Sequence, residues 1–288
     1  MSSSDRRKRI RATLAGQRCA LMATIFDPVS ARIAEDLAYE AALVGGSIVS
    51  HAVLGAPDVI VLTLTELAEQ VHRCARVSQV PLLIDADHGY GNALSVMRTI
   101  QELDAAGAAA VMIEDTLLPR AFGPSGAAQL LSFDESVGKI KAAVAARGDS
   151  DLVVLGRTSA FAITGIEDAI ARFSAYEAAG VDALFLPGLR TREELDRISA
   201  AVKLPLVVGG VPDALLDESY LASRRVRLWA AGHHTFAVAV NALYDAMKAV
   251  RAGTISSRLP HAASREMMDR VTGAADFDRW TRQFLDAK

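Results

Sequence analysis

Cysteine is nearly absent from this chain: 288 residues contain two, Cys19 and Cys74. Two thiols cannot build a disulfide framework, and this pair has no metal-ligand spacing, so a disulfide-rich secreted scaffold and a zinc-thiolate site are excluded and a reducing compartment is expected. Long hydrophobic runs are missing too. No window of about 18 residues is both apolar and uncharged, so nothing reads as a bilayer span. The N-terminus carries Arg6, Arg7, Lys8, Arg9 and Arg11, as a signal n-region would, but Gly16, Gln17 and Arg18 interrupt the apolar stretch that should follow. The basic run reads instead as a solvated first helix over 5–16, without the interleaved aromatics of a nucleic-acid arm. Neither charge is in excess: 31 basic and 34 acidic residues leave −3, which draws in neither nucleic acid nor an anionic membrane. The expectation is a soluble, cytoplasmic protein that handles a small molecule or contacts another protein.

What the chain does have is hydrophobic residues, 51% of the total, in a regular alternation. Short apolar runs at Ala20–Thr24, Ala42–Val44, Pro81–Asp85, Ala110–Glu114, Leu152–Arg157, Ala183–Leu186, Leu206–Val208 and Val226–Trp229 read as strands. Each is followed by a helix-like stretch, at 29–39, 64–76, 91–106, 134–147, 166–179, 191–201, a poor one near 213–223, and 233–251. Continuous apolar strands alternating with helices imply a parallel sheet covered by helices. Eight such units without a linker predict α/β architecture: one eight-stranded parallel β/α (TIM-type) barrel, in preference to a doubly wound sheet with an appended domain. The predicted layout of the single domain 1–288 is an N-terminal helix (1–18), the barrel (19–251) and a C-terminal helical extension (252–288). In that extension Glu266–Val271 and Phe277–Leu285 read as helices, with Trp280 and Phe284 on one face that must be buried on the barrel or on another subunit.

Functional groups in such barrels gather where strands end. The third strand ends in Asp85-Ala86-Asp87-His88-Gly89-Tyr90-Gly91-Asn92, and period-two alternation places Asp85 and Asp87 on one side. Like charges so close need a cation, a partner or a proton. Glu114, ending the fourth strand, adds a third carboxylate. An all-oxygen set without His or Cys suits a hard ion that keeps several waters, Mg²⁺ or Mn²⁺ and not zinc, although strand-end acids also serve as caps and ion-pair partners. Arg157, ending the fifth strand, could neutralise these acids or grip an anionic substrate. Gly45-Gly46-Ser47 after the second strand offers backbone N–H groups to an oxyanion, and His233 or His234 after the eighth could bond a carboxylate.

At these residues the chain resembles the isocitrate lyase/phosphoenolpyruvate mutase superfamily, and within it the oxaloacetate decarboxylase branch. The resemblance runs nearly end to end, through Phe26–Arg32, Gly45-Gly46-Ser47, Ala56-Pro57-Asp58, Asp85–Asn92, Ile113–Pro119 and Val137–Ile140. It implies a direct Mg²⁺ ligand at Asp85, with Asp87 and Glu114 holding metal waters. It implies substrate contacts at Gly46, Ser47, Arg157 and His233, and catalytic roles for Arg157, His233 and Asp58. It also implies last helices exchanged between subunits in a homotetramer, a dimer of dimers. The lyases' Lys-Lys-Cys-Gly-His segment is replaced by Pro119–Gly126, which has neither Cys nor His and lacks the Lys and Asn of the phosphonate-active members. The branch's tyrosine after the seventh strand is missing from Val207–Pro212. The expected activity is Mg²⁺-dependent decarboxylation of a 2-keto dicarboxylate, oxaloacetate first among them, with residues 117–130 as a lid. C–C or C–P cleavage of the methylisocitrate or phosphonopyruvate type, and a non-catalytic binding barrel, stay open.

Overall fold

The structure is a computed structural model that describes residues 3–120 and 128–286. Eight parallel strands close into a barrel in sequence order: β1 (Ala20–Thr24), β2 (Ala42–Val44), β3 (Leu82–Asp85), β4 (Ala110–Glu114), β5 (Val153–Arg157), β6 (Ala183–Pro187), β7 (Leu206–Gly209) and β8 (Val226–Ala230), with β8 pairing back onto β1. The predicted β/α barrel is therefore the observed fold, with strand ends displaced by at most one residue. The helix expected near 213–223 is broken into a 3₁₀ turn, Asp213–Leu215, and a short helix, Glu218–Ser223, capped by Asp217, whose side chain accepts from Tyr220 N–H. Pro212 and the cap at Asp217 account for the weak pattern there.

Strand alternation sorts the side chains into two cores. Ala20, Met22, Leu43, Leu83, Ala110, Met112, Val153, Leu155, Ala183, Phe185, Val207, Leu228 and Ala230 fill the barrel interior. The alternate residues, among them Ile84, Val111, Ile113, Val154, Leu184 and Val208, pack against the surrounding helices. Because every second residue points inward, the last inward position of each strand opens onto the C-terminal rim. On β2 to β8 those positions are Leu43, Asp85, Glu114, Arg157, Pro187, Gly209 and Ala230, and Phe185, one inward step below Pro187, lines the cavity with them.

The N-terminal helix, Ser3–Ala15, corrects one expectation. It is not a solvated basic face, because Arg6, Ile10 and Leu14, spaced at four-residue intervals, are buried. Ile10 and Leu14 extend the barrel-interior core. Arg6 donates to the carbonyls of Ala75 (3.1 Å), Ser78 (3.5 Å) and Gly107 (3.4 Å). Arg7 bonds Asp104 and Ala108, and Arg11 bonds Asp151, Leu152 and Asp182. The run is basic because guanidinium forks satisfy the loop carbonyls at the barrel's N-terminal end.

At the other end of the chain, helix His234–Arg251 buries none of its residues. Helices Arg265–Thr272 and Ala274–Phe284 follow, with Val271 their sole buried residue among those described. No helix among the described residues is long and apolar enough to cross a membrane.

Candidate active site

A cavity of about 750 Å³ opens at the C-terminal rim. It is lined by Ser47, Asp58, Asp85, Asp87, Glu114, Arg157 and His233, so the residues singled out from sequence meet in one place, Gly46 standing behind them. Register explains part of this. Glu114 and Arg157 are Cα partners across β4 and β5, and Asp85 stands beside Met112 across β3 and β4.

The alternation argument fails at Asp87. β3 ends at Asp85, and Asp87 lies in the left-handed region (φ 47), the first of several positive-φ residues that include Gly89, Tyr90 and Gly91. Its N–H donates to Asp85 Oδ1 (3.2 Å) and its carbonyl accepts from Glu114 N–H (2.9 Å). Asp87 reaches the cavity because the chain turns, not because the strand continues. Gly46 makes room for it: a Cβ there would collide with the Asp87 carboxylate. Likewise a Cβ on Gly45 would stand 2.9 Å from His233 Cε1. Close side-chain approach is thus a second reason for the glycine pair, beside the backbone donors inferred from sequence.

Arg157 Nη1 donates to Asp85 Oδ2 at 2.6 Å, and its Nε stands 2.9 Å from Glu114 Oε2. The second approach is an ion pair without hydrogen-bond alignment, so Glu114 Oε2 is buried and unbonded. Burial, reinforced by Asp85 and Asp115 and opposed by Arg157, pushes the Glu114 carboxyl up to about 7. Burial, then Asp85, Glu114 and Asp58, raise Asp87 well above the carboxylate range. Burial alone would lower Arg157, but Asp85, Glu114 and Asp87 outweigh it and hold the guanidinium charged. Three acids facing one buried arginine would carry surplus negative charge if all were ionised, and the raised Asp87 and Glu114 carboxyls relieve it by holding protons.

That surplus fits a dication. Among the described residues no three His, Cys, Asp or Glu side chains converge closely enough to ligate one ion directly. The arrangement therefore suits an ion with one direct carboxylate ligand and retained waters, for which the orphaned Glu114 Oε2 is a ready acceptor. His233 lines the mouth of the cavity, and desolvation by its walls, partly offset by Asp85 and Asp58, keeps its pKa below the ordinary value. His234 does not line the cavity.

Sequence reasoning missed the far wall, formed by Ile163, Phe185, Pro187, Gly209 and Gly210. The Phe185 ring lies 5.7 Å from Arg157 Cζ, and a Cβ on Gly209 would stand 2.7 Å from Phe185 Cζ. The phenyl ring fills the place beside β7 and no hydroxyl comes from there. Asp115, next to Glu114, turns away from the cavity and is 2% exposed. Of the expected lid, 121–127 lie outside the described residues; Leu117, Leu118, Arg120, Ala128 and Gln129 line the cavity.

A closed β/α barrel whose rim joins an acid cluster to a buried guanidinium defines the general class. Within it, residues 10–251 match the family model described as phosphoenolpyruvate phosphomutase, and the chain belongs to that family. A protein of Paraburkholderia xenovorans (strain LB400) named oxaloacetate decarboxylase is 64% identical over 99% of this chain and 95% of its own length. One of the same name from Rhodopseudomonas palustris (strain BisB18) is 53% identical over the full length of both. Among solved structures, a phosphonopyruvate hydrolase complexed with oxalate and Mg²⁺ superimposes with a TM-score of 0.87 at 28% identity, over 99% of this chain and 100% of that one.

Proposed function

We propose that this protein is a lyase that decarboxylates a 2-keto dicarboxylate, oxaloacetate to pyruvate and CO₂, with Mg²⁺, or Mn²⁺ in its place. The observation that carries the reading is the rim cavity in which an acid cluster faces a charged arginine, in a chain 64% identical to a relative named for that reaction. Asp85 is the direct ligand in this reading, and Asp87 and Glu114 hold the ion's waters. When bound there, Mg²⁺ supplies Lewis acidity toward the keto acid's oxygens.

The chain's own residues do the rest. Arg157, its Nη1 donating to Asp85 and its Nε paired in charge with Glu114, turns its Nη2 donor to the C1 carboxylate in this reading. The C3–C4 bond breaks, its electron pair becomes the C2=C3 bond of the enolate, and negative charge collects on the C2 oxygen. In this reading the backbone N–H groups of Gly46 and Ser47 and the Ser47 hydroxyl stabilise that oxygen; one preorganised donor of this kind contributes about 2.7–4 kcal/mol. His233 recognises the C4 carboxylate as a neutral donor, as its lowered pKa requires. A cation there would stabilise the carboxylate against leaving as neutral CO₂. Asp58, at the cavity edge, orients water that delivers the final proton to C3.

The test incubates the purified protein and Mg²⁺ separately with oxaloacetate, methylisocitrate and phosphonopyruvate, following pyruvate, succinate and phosphate. Pyruvate from oxaloacetate without phosphate from phosphonopyruvate is expected. Phosphate release would replace the reading with C–P hydrolysis, and three silent substrates would remove it. We further propose that the exposed C-terminal helices pack on other copies of the chain, giving a homotetramer with the last helices exchanged.

A further inference from the structure

Behind the cavity wall, and unused by the proposed chemistry, lies a buried polar hub. Asp115 Oδ2 accepts from Arg172 Nη1 at 3.0 Å and from the Tyr176 hydroxyl at 2.7 Å. Arg172 and Tyr176 stand one turn apart on helix Ile166–Ala178 and face the barrel together. Tyr176 can approach because β5 presents Gly156 beside it, where a Cβ would stand 2.8 Å from Tyr176 Cδ2. The Arg172 side chain is 7% exposed, and the rest of its fork is also engaged: Nη1 donates to Ser136 Oγ (3.0 Å), Nη2 to the Leu131 carbonyl (3.1 Å) and Nε to Asp168 Oδ2 (3.0 Å).

Two of those partners belong to one strand-like neck. Leu131 N–H donates to the Asp115 carbonyl at 2.8 Å, Leu117 N–H donates to the Gln129 carbonyl at 2.8 Å, and Thr116 bridges Leu130 in antiparallel fashion. The neck therefore holds residues 115–117 against 129–131, and Thr116, Leu117, Leu118 and Gln129 line the cavity. Its root is the Glu114–Asp115 peptide. One guanidinium thus grips the Asp115 carboxylate on the outgoing arm and the Leu131 carbonyl on the returning arm.

We propose that Arg172 is a positioning residue: by bridging Asp115 and Leu131 it clamps residues 115–117 against 129–131 and holds the Glu114 carboxylate at its place in the cavity. Lysine keeps the charge but is a point donor without the planar fork, so it cannot span both arms while also meeting Asp168 and Ser136. The catalytic consequence rests on the decarboxylase reading; the mechanical consequence does not.

The experiment compares wild type, Arg172→Lys and the milder Tyr176→Phe, which removes one hydrogen bond to Asp115. Hydrogen exchange is followed in peptides covering 115–119 and 129–133, with 64–75 as a remote control. Initial rates on oxaloacetate then separate kcat from KM. The neck peptides of Arg172→Lys should exchange about 10-fold faster with the control unchanged, and kcat should fall about 10–100-fold with a smaller change in KM, as for loss of a partner that orients a ligand side chain. Tyr176→Phe should move both in the same direction by less, and it serves as the test if Arg172→Lys does not fold. Unchanged neck exchange overturns the clamp whether or not the wild type turns over oxaloacetate. Faster neck exchange with wild-type kcat overturns the positioning role. An inactive wild type whose neck still loosens in the variants retains the clamp and counts against the decarboxylase reading.

Discussion

His88 lies inside the motif that carries the acid cluster, yet its chemistry differs from theirs. It is 6% exposed, its Nδ1 is buried without a hydrogen bond, and burial, with Lys139 adding to it, lowers its pKa to about 4. The folded chain therefore refuses a proton that the unfolded chain accepts once the pH drops below the ordinary histidine range. Stability from this group is complete at pH 7, falls as the pH decreases from about 6.5, and is lost by about 4, a span of up to about 3 kcal/mol. His88→Gln should flatten that part of the pH profile, measured by urea unfolding at pH 7, 5.5 and 4.5. Parallel profiles for the two proteins would show that another group sets the slope. Its neighbours show what could be read in advance at this scale. Asp85, Glu114 and Arg157 were legible because each ends a strand on an inward position. Asp87 was named on the same argument but arrives by a left-handed turn, and that turn depends on contacts with Gly46 and Glu114 that only the closed barrel creates. Phe185 escaped notice because an apolar residue in an apolar strand carries no mark of which inward position forms the rim.

Among the elements, the strands were the easiest to place, since burial on both faces leaves continuous apolar runs. The N-terminal helix was placed correctly and its surroundings were not. A basic run looks the same whether it meets water or a ring of backbone carbonyls, and the carbonyls come from loops 69 to 141 residues away in the chain. The spacing of Arg6, Ile10 and Leu14 was the available signal. It assigns the arginines unequal weights. Arg6 is 6% exposed and joins three carbonyls, whereas Arg9 is exposed and joins one, that of Gln79. Arg6→Ala should cost about 2–3 kcal/mol, because it strands buried carbonyls as well as removing charged hydrogen bonds. Arg9→Ala should cost less than about 1 kcal/mol. Urea midpoints of the two variants decide the matter, and equal losses would mean that the helix is held by Ile10 and Leu14 alone.

In the molecule as a whole, apolar surface is distributed unevenly. Phe236, Val240, Leu243, Met247 and Val250 recur at alternating spacings of four and three along helix His234–Arg251, one continuous stripe. Phe236 packs edge-on to Phe26, at 4.9 Å between ring centroids, so the stripe begins on the barrel. It then runs off into solvent, with Leu243 62% and Met247 66% exposed, and Phe277, Trp280 and Phe284 beyond are exposed as well. A stripe of this length left uncovered in one copy is surface that association would bury, and each such side chain contributes about 1.5–3 kcal/mol when fully covered. Light scattering during size exclusion should give several times the mass of 30.6 kDa. Leu243→Asp combined with Met247→Asp should shift it toward a single chain, because charges buried without partners oppose association. The barrel itself should survive in that variant, since Leu243 and Met247 are exposed and stand outside its buried core. Retained circular dichroism together with a dissociated mass is the expected pair of results. A wild type that already runs as a single chain would show that the stripe serves no self-association, and a variant that keeps the wild-type mass would place the contact elsewhere on the surface.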